Sequence, residues 1–300
     1  MRVVVALGGN ALVTPGKEIE YAGPAHVGRA AESVAALARS HELVVTHGNG
    51  PQVGLLALQS EAYDPGHPTP LDVLGAESEG MIGYLLEREL RSRIPDRDVA
   101  TLLTQVEVRP DDEAFLRPTK PIGPTYTEEA AQRLSRKRGW QVAPNSHGWR
   151  RVVPSPRPVT ILESDTIRLL MDHGIVVVCA GGGGIPVLVD EWGGIRGAEG
   201  VVDKDATAAL LGRVVGADAL LLLTDVAGVM EGWGTADARL VDRMTVEEAL
   251  AFPAPEGSMG PKLRACAEFV SSSGGFAAIG ALEDGVEVLE GRRGTRIAAD

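Results

Sequence analysis

Lysine is scarce in this chain. The 29 basic residues include only five lysines, Lys17, Lys120, Lys137, Lys204 and Lys262. Where arginine is so strongly preferred, a retained lysine marks a position that needs a compact point charge rather than a planar fork. Lys120 stands among Pro118, Pro121 and Pro124, and Lys204 lies between Asp203 and Asp205 at the start of a helical pattern. Lys262 follows Gly257-Ser258-Met259-Gly260-Pro261, near the positive end of a helix dipole. That is an unfavourable place for a cation unless an anion joins it. Glycines cluster in three further runs: Gly8-Gly9-Asn10, His47-Gly48-Asn49-Gly50-Pro51, and Cys179-Ala180 followed by Gly181 to Gly184. Backbone N–H groups in such loops, with Pro51 suited to a first helical turn, can receive an anion. Phosphoryl transfer asks for little more than backbone donors, point charges on the phosphates, and Mg²⁺.

Each signal also has a plainer explanation. Tight turns account for either of the first two loops alone, and a hinge accounts for four glycines. Asp203 capping with surface pairing accounts for Lys204. Several such features together describe a site for a small anionic substrate. No Gly-Lys-Ser/Thr follows the glycine run, so it is not a Walker loop, and Gly-x-Gly-x-x-Gly is missing from the first strand. The histidines lack metal-ligand spacing, and His47 reads as a hydrogen-bonding loop residue. Cys179 reads as a small packed side chain. No metal site is expected from protein ligands alone.

The elements that must hold these loops follow from hydrophobic patterning. Arg2–Leu7, Leu43–Thr46, Val99–Val108, Ile175–Ala180, Ala219–Thr224 and Phe276–Ala281 read as strands, mostly apolar throughout and hence buried on both faces. Helical patterns cover 27–38, 52–59, 77–93, 164–173, 206–215, 246–252 and 261–271, and Thr245 with Glu248 forms a capping box. Strands alternating with helices imply an open, mainly parallel α/β sheet with helices on both sides, binding ligands beyond its carboxyl ends. The glycine runs fall at those ends. From about 109 to 158, eight prolines interrupt the pattern. A structureless loop of that length is uncommon, so this stretch is expected to form a small protruding lid subdomain.

Composition removes other classes. Acidic residues exceed basic ones by 41 to 29, giving a formal charge of −12, which disfavours nucleic-acid partners. Two distant cysteines fit a reducing, cytoplasmic compartment. No apolar stretch approaches the roughly 18 residues of a membrane span, and strand-like residues from Arg2 onward leave no room for a signal peptide.

The ordered segments 6–12, 46–54, 119–124, 152–158, 179–187, 202–206, 223–229 and 257–262 closely resemble the carbamate kinases, a branch of the amino acid kinase superfamily. The resemblance implies a three-layer αβα sandwich, a single domain over 1–300, a homodimer, and reversible phosphoryl transfer between ATP and carbamate. The N-terminal part would bind substrate and dimerise, and about 180–300 would bind nucleotide. Lys120, Lys204 and Lys262 resemble the catalytic set, with Asp205 organising the lysines. Gly8, Gly9, Asn10, Gly48, Asn49, Gly50, Gly181 and Gly182 would take the small substrate. Thr224, Asp225, Val226, Ser258, Met259 and Lys262 would take the nucleotide, with Mg²⁺ held mainly through its phosphates. Many superfamily relatives carry a lysine where this chain has Ala6, so Lys120 is the candidate to supply that charge. Other kinases of the fold, acting on small acids or phosphate monoesters, and a non-catalytic nucleotide-binding regulator are the alternatives.

Overall fold

The computed structural model describes residues 1–9, 24–145, 148–235, 237–254 and 259–299. Asn10 and Ser258 lie outside them. The chain opens with β1 (Arg2–Leu7), α1 (Pro24–Ala38), β2 (Glu42–His47), α2 (Gly50–Tyr63), α3 (Leu71–Arg93), β3 (Val99–Thr101) and β4 (Gln105–Val108). An inserted unit follows: β5 (Lys120–Tyr126), α4 (Glu128–Arg138), β6 (Gln141–Asn145) and β7 (Gly148–Val153). Then come β8 (Pro158–Ile161), α5 (Ser164–Asp172), β9 (Val176–Val178), β10 (Ile185–Val189), β11 (Ile195–Gly197) and α6 (Lys204–Val215). The remainder is β12 (Ala219–Thr224), β13 (Met230–Glu231), β14 (Arg239–Leu240), β15 (Arg243–Thr245), α7 (Val246–Ala251), α8 (Met259–Ser273), β16 (Phe276–Ala281), α9 (Gly285–Leu289) and β17 (Thr295–Ala298).

The central sheet runs β15-β17-β16-β12-β1-β2-β9-β3, parallel except where β17 meets β16. Alternate side chains of its apolar strands feed two separate cores. Val4, Ala6, Val44, Val177, Leu220 and Leu222 pack under α5, α6 and α8, where Ile167, Leu211 and Phe269 are fully buried. Val3, Val5, Leu7, Val45, Val178 and Leu221 pack under α1, α3 and α9, against Val34, Leu37, Ile82, Leu86 and Val288. Burial on both faces makes three layers, as the unbroken apolar strands required. The expected capping box at Thr245 and Glu248 is present, with both reciprocal bonds formed.

One expected strand is two. The stretch 99–108 divides at Leu102 to Thr104, leaving β3 beside β9 in the central sheet and β4 in a second sheet ordered β11-β10-β4-β8. Hydrogen bonds at Thr104 drive the change of sheet: its N–H donates to Glu79 Oε2 at 3.2 Å, and its Oγ1 accepts Ala180 N–H at 2.9 Å.

The proline-rich stretch is folded. β5, β7 and β6 form an antiparallel sheet carrying α4, which Thr127 caps and Gly139 ends in a left-handed conformation. This subdomain sits on α2 and α3 through its own small core, in which Ile122 and Val153 meet Val53, Ala57, Leu71 and Leu74. A Cβ on Gly54 of α2 would lie 2.0 Å from Gly123 Cα, so helix and strand touch backbone to backbone. Farther out, Glu61 of α2 accepts from Arg138, from Trp140 Nε1 at 3.1 Å and from Arg151 at 3.3 Å. Both guanidinium groups lie within 5 Å of the Trp140 ring centre, in cation–π range.

Candidate active site

β12, β1, β2 and β9 are neighbours and parallel, so their carboxyl ends converge. Thr224 ends β12, and Gly8, Gly48 and Gly181 follow the ends of β1, β2 and β9. A cleft of about 2460 Å³ opens there, walled on its far side by the inserted subdomain. A Cβ on Gly48 would lie 2.6 Å from Gly9 N and Cα, so these two loops pack directly on each other. Gly8, Gly9, Gly48, Asn49, Gly50 and Gly182 line the cleft, as do Thr224, Asp225, Val226 and Met259. The starts of α2, α6 and α8 all reach it, bringing the positive ends of three helix dipoles to one space.

All three expected lysines face this cleft. Asp205 ties two of them together: Lys204 Nζ donates to one carboxylate oxygen, and Lys262 Nζ donates to the other at 2.9 Å. Burial opposes the charged form of Asp205, but the two ammonium groups more than compensate and hold its carboxyl well below the usual range. For Lys204 burial prevails and lowers its pKa. For Lys262 burial also lowers the pKa, yet Asp205 outweighs it and the net shift is upward. The cation near the α8 dipole thus has the anionic partner its position demanded.

Asp205 does not order the whole set, which corrects the sequence expectation. Lys120 Nζ donates instead to Asp203 Oδ2 at 2.6 Å. Asp203 Oδ1 meanwhile accepts the N–H groups of Asp205 and Ala206 and caps α6. Ala6 is fully buried in the core with Val202.

The 181–184 loop rests on polar groups that sequence reasoning missed. Glu79 is buried on α3 and accepts Gly181 N–H at 2.8 Å. Burial pushes its pKa up to about 8, against the N–H donors of Gly181 and Thr104. Gly181 therefore spends its N–H on Glu79 and lies under the loop rather than along the cleft wall, a correction to its expected role in substrate binding. His47 is buried and kept neutral, its pKa lowered by burial to about 4, and its ring packs where a Gly181 Cβ would sit. It supports the loop by packing, and its Nδ1 lies 3.3 Å from the Gly48 carbonyl oxygen. Ala180 holds a left-handed φ of 52°, which costs a non-glycine residue about 1–2 kcal/mol. Thr46 Oγ1 and Thr104 Oγ1 clamp both sides of it. The signal for Glu79 was present in the sequence: Ser78-Glu79 interrupts the apolar stripe of α3.

Gly182 gives a direct test of this packing. It has φ +69°, and a Cβ there would fall 2.1 Å from the Asn49 amide, which is itself held by Ser78 at 2.8 Å. Gly182→Ala is expected to destabilise the protein by about 1–3 kcal/mol, read by urea denaturation. An unchanged midpoint would mean that the loop is not held against Asn49.

An α/β sandwich with glycine loops and paired lysines at its carboxyl edge is the architecture of a phosphoryl-transfer kinase. The chain belongs to the amino acid kinase family, whose pattern matches residues 1–279, and within that family to the carbamate kinase branch. Carbamate kinase of Rhizobium meliloti (strain 1021) is 48% identical over 308 residues, covering 100% of this chain and 94% of that protein. Carbamate kinase of Escherichia coli (strain K12) is 47% identical, covering 99% of each. The structure of carbamate kinase from Giardia lamblia bound to citric acid superposes with a TM-score of 0.92 at 37% identity, covering 100% of this chain and 98% of that one. Among the described residues, no helix is long and apolar enough to cross a membrane.

Proposed function

We propose that this protein catalyses reversible phosphoryl transfer between ADP and carbamoyl phosphate, giving ATP and carbamate. The observation that carries the reading is the meeting of Lys120, Lys204 and Lys262 from three separate elements at one cleft, opposite the glycine loops. An ADP β-phosphate oxygen attacks the phosphorus, the bond from phosphorus to the carbamate oxygen breaks, and carbamate leaves with the electron pair. No proton transfer is required. The chain's task is therefore positioning and charge stabilisation on the transferring oxygens.

Lys204, drawn inward by Asp205, is assigned to the transferring phosphoryl group, and Lys262 to that group and the nucleotide phosphates. Gly8, Gly9, Gly48, Asn49, Gly50 and Gly182 are assigned to the small acid, a role supported by their close-packed loops. Thr224, Asp225, Val226 and Met259 are assigned to the nucleotide, whose site then lies within about 180–300. Both central carboxylates already hold lysines, and among the described residues no group of three acidic, histidine or cysteine side chains is placed to hold a metal. The described residues thus suit an anion and form no cage for Mg²⁺; the ion would come with the nucleotide phosphates, neutralising their charge.

A homodimer belongs to the same reading. Val73 and Tyr84 of α3 are exposed, and Leu103, also exposed, lies beside Gly80. This apolar strip supports an interface, and sedimentation velocity tests it. Cytoplasmic location is supported by two free, buried cysteines.

Purified protein with Mg²⁺ should form ATP from ADP and carbamoyl phosphate in a luciferase-coupled assay. Failure there, together with turnover of acetylglutamate or a nucleoside monophosphate, would replace carbamate with another acceptor of the fold.

A further inference from the structure

We propose that Asp203 is a positioning residue for phosphoryl transfer: it registers Lys120 of the inserted subdomain against the start of α6 and the 181–184 loop. The proposal deepens the kinase reading above and takes its turnover assay from it. Asp203 works with both oxygens. Oδ1 accepts the N–H groups of Asp205 at 3.0 Å and Ala206 at 3.1 Å, while Oδ2 accepts Lys120 Nζ at 2.6 Å. Capping alone needs one oxygen and no charge, since asparagine and serine cap as well as aspartate. The charge is surplus to the cap and is directed at Lys120.

What Asp203 is tied to gives this contact its consequence. Thr207 Oγ1 donates to the Gly183 carbonyl at 2.9 Å, and a Cβ on Gly183 would fall 2.5 Å from the Val202 carbonyl oxygen. The segment 202–207 and the glycine loop therefore share one frame, which also carries Lys204 and Asp205. Lys120 enters from a unit 83 residues away in sequence, on a flexible four-carbon stem. Pinning its ammonium to Asp203 places it in that frame before substrate arrives. A lysine ammonium has three N–H donors. One goes to Asp203, and two remain for phosphoryl oxygens, so the pairing orients Lys120 without consuming it. Both side chains are about 30% exposed, at 31% and 28%. The pair is thus only partly shielded from solvent, and the ammonium is held at the edge of the cleft.

The experiment uses variants that keep the cap and remove the charge. Asp203→Asn is expected to lower kcat about tenfold while the KM for ADP stays within about twofold. The Lys120→Ala/Asp203→Asn double variant should be no slower than Lys120→Ala alone, because Asp203 acts through Lys120. Asp203→Ser, a second uncharged cap, should behave as Asp203→Asn and serves if that variant fails to fold. A readout without turnover separates this proposal from the reaction assignment. In the ligand-free protein, acetic anhydride labelling followed by mass spectrometry should modify Lys120 faster in Asp203→Asn than in the parent, with exposed Lys137 as internal reference. Parental kcat in both cap-keeping variants, unchanged labelling of Lys120, or a double variant whose loss is the product of the two single losses would overturn it. Absence of carbamoyl phosphate turnover in the parent, with faster Lys120 labelling in Asp203→Asn, would instead remove the reaction assignment and leave the positioning role.

Discussion

Lys204→Ala should lower kcat by a factor on the order of 10²–10³, the scale of losing one preorganised donor to a transition state, with the KM for ADP little changed. The side chain is buried, and its ammonium is fixed by Asp205, so it meets a developing charge without reorganising. Water would have to reorient there; Lys204 does not. The variant should remain folded, because Asp205 keeps Lys262 at 2.9 Å and is not left as an unpaired buried carboxylate. Lys262→Ala should differ in kind, raising the KM for ADP as well as lowering kcat, since Lys262 is assigned to the nucleotide side. The pH profile adds a signature. Burial lowers the Lys204 pKa, so its charge is lost on the alkaline side before an ordinary lysine at 10.5 would titrate. In the parent, kcat/KM, which reports the free enzyme, should fall over that earlier range. Steady-state kinetics from pH 6 to 10 check all three outcomes, and near-parental kcat for Lys204→Ala would remove the residue from the mechanism.

Lys120→Ala is expected to reduce kcat by about 10²-fold, again with a much smaller change in the KM for nucleotide. The argument differs from that for Lys204, because Lys120 arrives on a separate folded unit. Ile122 and Val153 seat that unit on α2 and α3, and the Glu61 clasp with Arg138, Trp140 and Arg151 holds its outer end. The prolines at 118, 121 and 124 restrict the backbone around the lysine and reduce the entropy lost on ordering it. Ala6 supplies no charge from the first strand, so the demand falls on Lys120. Lys120→Arg should also be impaired, because a planar guanidinium cannot present the compact point charge that the ammonium places beside Asp203 Oδ2. Full activity in Lys120→Ala would make this lysine a surface partner of Asp203 and nothing more.

Much of this was legible in the chain itself. Apolar strands ending in glycine determined a parallel sheet buried on both faces and located the binding edge, because local patterning reports burial directly. The rarity of lysine, with the glycine- and proline-rich loops or aspartates beside them, singled out Lys120, Lys204 and Lys262, and all three line the cleft. What tertiary structure alone decided was pairing. Lys120 meets Asp203 across 83 residues, Lys262 meets Asp205 across 57, and Glu79 meets Gly181 across 102. Asp203 and Asp205 flank Lys204 in sequence, and the sequence reading assigned all three lysines to Asp205. The helical turn separates them: Asp203, at the cap, turns one oxygen inward to α6 and the other to the inserted subdomain, while Asp205, the second residue of the helix, faces Lys204 and α8. Gly181 and Gly182 likewise looked equivalent, until packing on His47 and Glu79 placed one beneath the loop and left the other on the cleft wall. Period and composition are properties of neighbouring residues and can be read along a chain; which carboxylate holds which ammonium depends on contacts that exist only once distant segments have packed.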